Sequence, residues 1–107
     1  MNAATQVEVE LELHGFLGQR LAALGRPRGS RVVITAATAP GESVGAFLDG
    51  LVRTDDRYGL LYEVAGGRLP EHVEVILNGR VLDLQGGLDA PLAGGDVLTF
   101  LPAHAGG

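Results

Sequence analysis

Val97-Leu98-Thr99-Phe100-Leu101 is apolar on both of its alternating faces, and only six residues follow it. A strand with no wet face belongs in the middle of a sheet, where neighbours cover both sides. If the last strand is central, strands made earlier in the chain must flank it. Directly upstream, Gly94-Gly95-Asp96 marks the turn that leads into it, preceded by turns at Asp89-Ala90-Pro91 and Gly86-Gly87. Further back, Val73, Val75 and Leu77 alternate with Glu74 and Asn78, which predicts another strand. Asn78-Gly79 is a two-residue hairpin signal, since both residues tolerate positive φ, and Arg80 to Leu84 is the expected return leg.

At the other end of the chain, Val7, Val9, Leu11 and Leu13 alternate with Glu8, Glu10 and Glu12. That period of two predicts a strand with one buried and one wet face. The three glutamates are read as solvating the wet face rather than as an acid/base or metal cluster. Leu17, Leu21 and Leu24 then fall at helical spacing, with Gly25 in the C-cap place. Arg26-Pro27-Arg28-Gly29 reads as a loop, and Arg31 to Thr35 as a second strand returning antiparallel to the first.

After the Ala39-Pro40-Gly41 break, Ser43 is suited to cap a helix. Val44, Phe47, Leu48, Leu51 and Val52 make one apolar stripe behind it. Gly45 and Gly50 weaken this helix by about 1 kcal/mol each relative to Ala, so packing on a sheet must stabilise it. It should end near Thr54-Asp55-Asp56; Leu60 to Val64 is a short apolar piece whose type the pattern leaves open. A first hairpin, a principal helix and a central last strand give the element order of a β-grasp domain. The expected class is α+β: a ubiquitin-like mixed sheet of four to five strands packed on one main helix. Residues 1–107 are expected to form a single domain, with 102–107 as an extended tail.

Composition narrows the chemistry. Hydrophobic residues make up 46% of the 107 positions, enough for a packed core built mainly from Val, Leu, Ile and Ala, since only 5% are aromatic. Thirteen acidic against eight basic residues, a net charge of −5, speaks against nucleic-acid binding, which relies on clustered cations. All eight basic residues are Arg. Without Lys there is no Schiff-base chemistry and no internal isopeptide acceptor, so conjugation could use only the carboxyl end or, as acceptor, the N-terminus. Cys is absent as well, which removes disulfides, thiolate nucleophiles and Cys metal ligands. His14 and His72 show no metal-ligand spacing. No signal-like opening and no apolar run of roughly 18–20 residues is present, so the expected location is the cytoplasm, without membrane insertion.

The remaining candidate for chemistry is the terminus, Pro102-Ala103-His104-Ala105-Gly106-Gly107. Glycine fills 17 of the 107 positions, so a terminal doublet would arise by chance about once in forty such chains, and the doublet alone is weak. Its position sharpens it. Six extended residues projecting from a rigid strand reach roughly 20 Å. A tip without side chains can thread a channel that larger residues would block. The carboxylate is then the one reactive group delivered, and adenylation by ATP is its simplest activation.

Asn78-Gly79-Arg80, Gly87-Leu88-Asp89-Ala90-Pro91-Leu92, Gly95-Asp96-Val97, Phe100-Leu101-Pro102 and Gly106-Gly107 together resemble the C-terminal half of MoaD-type proteins of the MoaD/ThiS family. The N-terminal half matches more loosely. The resemblance implies a sulfur carrier without an active site or permanently bound cofactor of its own. A ThiF/MoeB-like activating enzyme would use ATP to adenylate the carboxylate of Gly107, and a sulfur donor would convert it to a thiocarboxylate. In the molybdenum-cofactor branch the loaded tail would enter the large subunit of molybdopterin synthase. Gly107 and Gly106 are therefore the expected reacting end, and Phe100, Leu101, Pro102, Ala103, His104 and Ala105 the expected partner-binding segment. Ala103 and His104 depart from relatives that carry a second Pro and Val or Ser here; the imidazole of His104 is read as solvent-facing and unpartnered. A ubiquitin-like modifier joined through Gly107 to lysines of other proteins is the alternative. A thiamine-type carrier fits less well, because such proteins are shorter and lack the 60–72 segment. One face of the last strand, carrying either Leu98 and Phe100 or Val97 and Leu101, is left either to dock partners or to be covered by the Leu17 helix and the long loop; the sequence does not assign the faces.

Overall fold

In the computed structural model, which describes residues 5–103, the last strand is central, as its two apolar faces require. The strands are β1 (Val7–Leu13), β2 (Arg26–Arg28), β3 (Arg31–Thr38), β4 (Val73–Leu77), β5 (Arg80–Val81) and β6 (Val97–Pro102). They form one mixed sheet in the order β2-β3-β1-β6-β4-β5. β6 runs parallel to β1, with Leu11 opposite Leu98, and antiparallel to β4, with Val75 opposite Phe100. Two helices, α1 (Gly15–Arg20) and α2 (Val44–Thr54), complete the regular structure together with short 3-10 turns.

The sheet thus has six strands, one or two more than expected. One addition is β2, where Arg26-Pro27-Arg28-Gly29 has the composition of a loop. It pairs with β3, Arg28 opposite Arg31, around a two-residue turn in which Gly29 takes φ +64°. Pro27 is tolerated because β2 is an edge strand. β5 is the expected return leg, but it pairs for only two residues after the Asn78-Gly79 turn, whose φ values of 52° and 83° suit a type I′ hairpin. The expected return leg to Leu84 stops at Val81 because Leu82 turns into the core, where it is buried. Gln85 fixes that turn, its side-chain amide donating to the carbonyls of Leu77 (3.0 Å) and Arg80 (2.9 Å).

β3 extends to Thr38, three residues past the expected end. Ala36 and Ala37 are poor strand formers, so their strand character comes from pairing with Val9 and Glu8. The helical stretch at Leu17–Leu24 is split: α1 ends at Arg20, and a 3-10 turn takes Ala22–Leu24. Gly25 ends that turn in an extended conformation rather than a left-handed one. A Cβ there would sit 2.4 Å from the Val33 carbonyl oxygen, so close approach is what requires glycine.

α2 begins where the Ser43 hydroxyl accepts the Ala46 N–H at 3.1 Å. Val44, Phe47 and Leu48 bury against the sheet, with Leu51 and Val52 packed beside them. Its two glycines differ. A Cβ on Gly45 would lie 3.3 Å from both Cβ and O of Leu88, whereas nothing lies within 4 Å of one on Gly50. Gly50→Ala is therefore expected to raise stability by about 0.5–1 kcal/mol, read as a higher urea midpoint at unchanged slope. Gly45→Ala should gain nothing or lose stability. After α2 the chain makes a 3-10 turn, Asp56–Leu60, whose N-cap Asp55 accepts from the Arg57 N–H. The guanidinium of Arg57 on the same carboxylate holds Asp55 below the usual carboxylate range. The 60–64 piece is not a strand: Leu61 and Tyr62 plug the core.

Candidate functional site

Alternation along β6 decides which side chains face which way. Leu98 and Phe100 are fully buried in the core that also takes Val44, Phe47 and Leu48 of α2, while Val97, Thr99 and Leu101 lie half-buried on the opposite, open face. Phe100, expected in the partner-binding segment, is thus a core residue and acts only through the fold. Leu101, Pro102 and Ala103 are half-buried and accessible. Pro102, expected to open the tail, is the last residue of β6, opposite Val73. His104, Ala105, Gly106 and Gly107 lie outside the described residues.

The open face is graded in character from edge to edge. β2 and β3 bring Arg28 and Arg31 alongside the glutamates of β1: Arg28 meets Glu10 at 3.3 Å, and Arg31 approaches Glu12 at 4.0 Å. The Glu8, Glu10 and Glu12 row is therefore partly paired rather than merely hydrated. Such exposed pairs contribute little stability. On the far side of β6 the surface becomes more apolar, with the exposed Glu74 opposite Leu101 as its charge. Ile76 stands opposite Thr99 on one side and Val81 on the other. Val81 is exposed, as is Leu84 in the following turn. Ile76 had a sequence signal that was passed over: it is the one apolar residue on the wet face of β4.

The root of the tail is held from two sides. One residue beyond the last β4–β6 pair, the Ala103 N–H donates to the His72 carbonyl at 2.8 Å. Across from it, Gly15 at φ +58° lies so close to Pro102 that a Cβ would stand 2.9 Å from Cγ of the proline ring. The His72 ring places Nε2 2.8 Å from the Leu60 carbonyl oxygen and lies 5.9 Å from the Phe16 ring. Neither Gly15 nor His72 was singled out for this role by sequence, because they approach the tail only through folding. Among the described residues no group of three His, Cys, Asp or Glu is placed to hold a metal ion, and no helix is long and apolar enough to cross a membrane.

Comparison with known proteins fits this geometry. The model of the ThiS family matches residues 31–107. The solution structure of the HVO 2177 protein of Haloferax volcanii is 25% identical, with a TM-score of 0.73 over 100% of this chain and 92% of its own. SAMP1 of the same organism is 26% identical, with a TM-score of 0.64 over 94% and 99%. The chain matched in the Amycolatopsis orientalis BexX/CysO complex is 25% identical, with a TM-score of 0.53 over 91% and 99%. No curated protein matches significantly in sequence.

Proposed function

This chain belongs to the ThiS family of ubiquitin-like proteins, and from that premise we propose that it is a sulfur carrier charged at the carboxylate of Gly107. The carboxylate attacks the α-phosphorus of ATP on a ThiF/MoeB-like activating enzyme, and pyrophosphate leaves. The terminal sulfur of a persulfide donor then attacks the acyl carbon and expels AMP. A second thiol cleaves the resulting S–S bond, leaving the thiocarboxylate. The sulfur acceptor is a pterin precursor held by the large subunit of a molybdopterin synthase, in the cytoplasm.

The observation that carries this reading is that β6, one of the two central strands of the sheet, leads directly into the Gly-Gly-ended segment. A tail rooted in a central strand, paired on both sides, is presented from a firm base. Along the open face, Val97 and Leu101 of β6 with Ile76 and Val81 offer apolar side chains for docking, with the exposed Glu74 opposite Leu101 next to the root. Ile76→Arg is expected to raise KM for the activating enzyme about tenfold or more, while kcat and the thermal midpoint stay near wild type. Unchanged KM would remove this face from the docking surface.

The deciding experiment is intact mass after incubation with ATP, an activating enzyme and a persulfide donor. Replacement of one oxygen by sulfur, labelled by a thiol-specific alkylating reagent, supports the carrier. An unchanged mass with several competent activating enzymes retires it. A second reading, conjugation through Gly107 to lysines of target proteins, draws support from the similarity to SAMP1, a small archaeal modifier protein. It predicts isopeptide-linked species in cells, none of them a chain of this protein linked through its own lysines, since it has none.

A further inference from the structure

We infer that His72 is a positioning residue for the tail: its main chain holds the tail's first residue, and its ring fixes that main chain against two other parts of the fold. The inference rests on the carrier reading above and goes beyond it by naming what sets the direction in which the tail leaves. β4 begins at Val73, so His72 lies just outside the strand, and the β4–β6 register ends at the Val73–Pro102 pair. The bond from Ala103 N–H to the His72 carbonyl adds one rung beyond that register. Outside the strand, the His72 main chain is held by this rung and by the turn that the Val73 N–H closes onto the Pro70 carbonyl, and the side chain adds a further anchor.

Nε2 of His72 is 2.8 Å from the Leu60 carbonyl oxygen, which can only accept, so this nitrogen carries the hydrogen. The same ring lies against Phe16 of α1, tilted by 47°. Phe16 follows Gly15, the residue in close contact with Pro102. Pro102 and Ala103 are thus bounded by α1 on one side and by the His72 main chain on the other, and the His72–Phe16 contact joins the two sides. The burial of Phe16 gives no other account of it: it is one of few large apolar side chains left exposed.

The consequence is mechanical. Five residues beyond Pro102 can span at most roughly 17 Å, so a 10° error at the root moves the tip by up to about 3 Å. Displacements of about 1 Å from the reacting geometry already cost up to about a hundredfold in rate. Loss of the clamp should leave the open face able to dock while the carboxylate arrives less often at the α-phosphorus. The signature is therefore a fall in kcat at nearly constant KM.

The test uses the full chain as wild type, His72→Ala and His72→Gln, the last supplying an amide N–H near the place of Nε2. Amide hydrogen exchange at Ala103 is read by NMR, and ATP–pyrophosphate exchange with the activating enzyme gives kcat and KM for the carrier. For His72→Ala the expectation is Ala103 exchange and kcat altered by about tenfold or more, with KM within about twofold. His72→Gln should restore both. Wild-type protection and wild-type kcat in His72→Ala would overturn the inference. Should His72→Ala fail to fold, His72→Phe decides, since it keeps the ring against Phe16 and lacks the donor. Wild-type values there would likewise overturn it. If the wild type is not adenylated at all, the carrier reading fails, while exchange at Ala103 still judges the clamp.

Discussion

Deletion of Gly107 is expected to abolish thiocarboxylate formation, by at least about a hundredfold in rate, with no change in the urea midpoint of unfolding. The two halves of this expectation have separate causes. The chemistry needs a carboxylate at one fixed distance from the docked domain, and removing a residue withdraws it by about 3.5 Å. That is beyond the tolerance for attack on a bound phosphate. Stability is untouched because the core closes upstream, at Leu98 and Phe100. Gly106→Val refines the test, since it keeps length and carboxylate and adds only bulk. Equal loss in both variants means that the channel admits nothing wider than glycine. Activity retained in Gly106→Val would mean that length alone matters, and activity retained in both would end the proposal that this carboxylate is the reacting group.

Phe100→Ala is the variant with the largest expected effect on folding, a loss of about 3–5 kcal/mol. Phe100 is fully buried in the central strand, opposite Val75 of β4, and Leu13 lies opposite it on β1. A cavity there is lined from both halves of the sheet, and neither half can move inward without breaking its ladder with β6. Domains of this size have roughly 5–15 kcal/mol in total, so much of the stability is at stake. The check is the urea midpoint, with Leu101→Ala as the neighbour that should lose no more than about 1 kcal/mol. Comparable losses at both positions would contradict the assignment of faces along β6.

The sequence displayed most of what depends on local pattern. Alternation over Val7–Leu13 matches β1, the stripe behind Ser43 matches α2, Asn78-Gly79 makes the hairpin, and the doubly apolar Val97–Leu101 is the central strand. What it concealed depends on partners far along the chain. Arg26-Pro27-Arg28 becomes a strand only because β3 lies beside it. The direction of Phe100 is set by α2 and β4, so the same alternation fitted either face. The proposed reacting tip, Gly106-Gly107, rests on the sequence alone and lies outside the described residues, whereas the root was illegible in the sequence. Gly15, His72 and Pro102 come from three separated stretches, and nothing in their local composition announces that they meet.

The central place of β6 also bears on how the protein is made. β2-β3-β1 and β4-β5 are joined in the sheet only through β6, and Glu10 finds its partner Val97 almost the whole chain away. While residues 97–102 are still inside the ribosome, each half exposes an unfilled core and a bare edge. Folding therefore waits for the last strand to emerge. A chain truncated before that point does not become a tail-less decoy that occupies the activating enzyme. It is expected to stay unfolded, because without β6 the two parts of the sheet have nothing to join them.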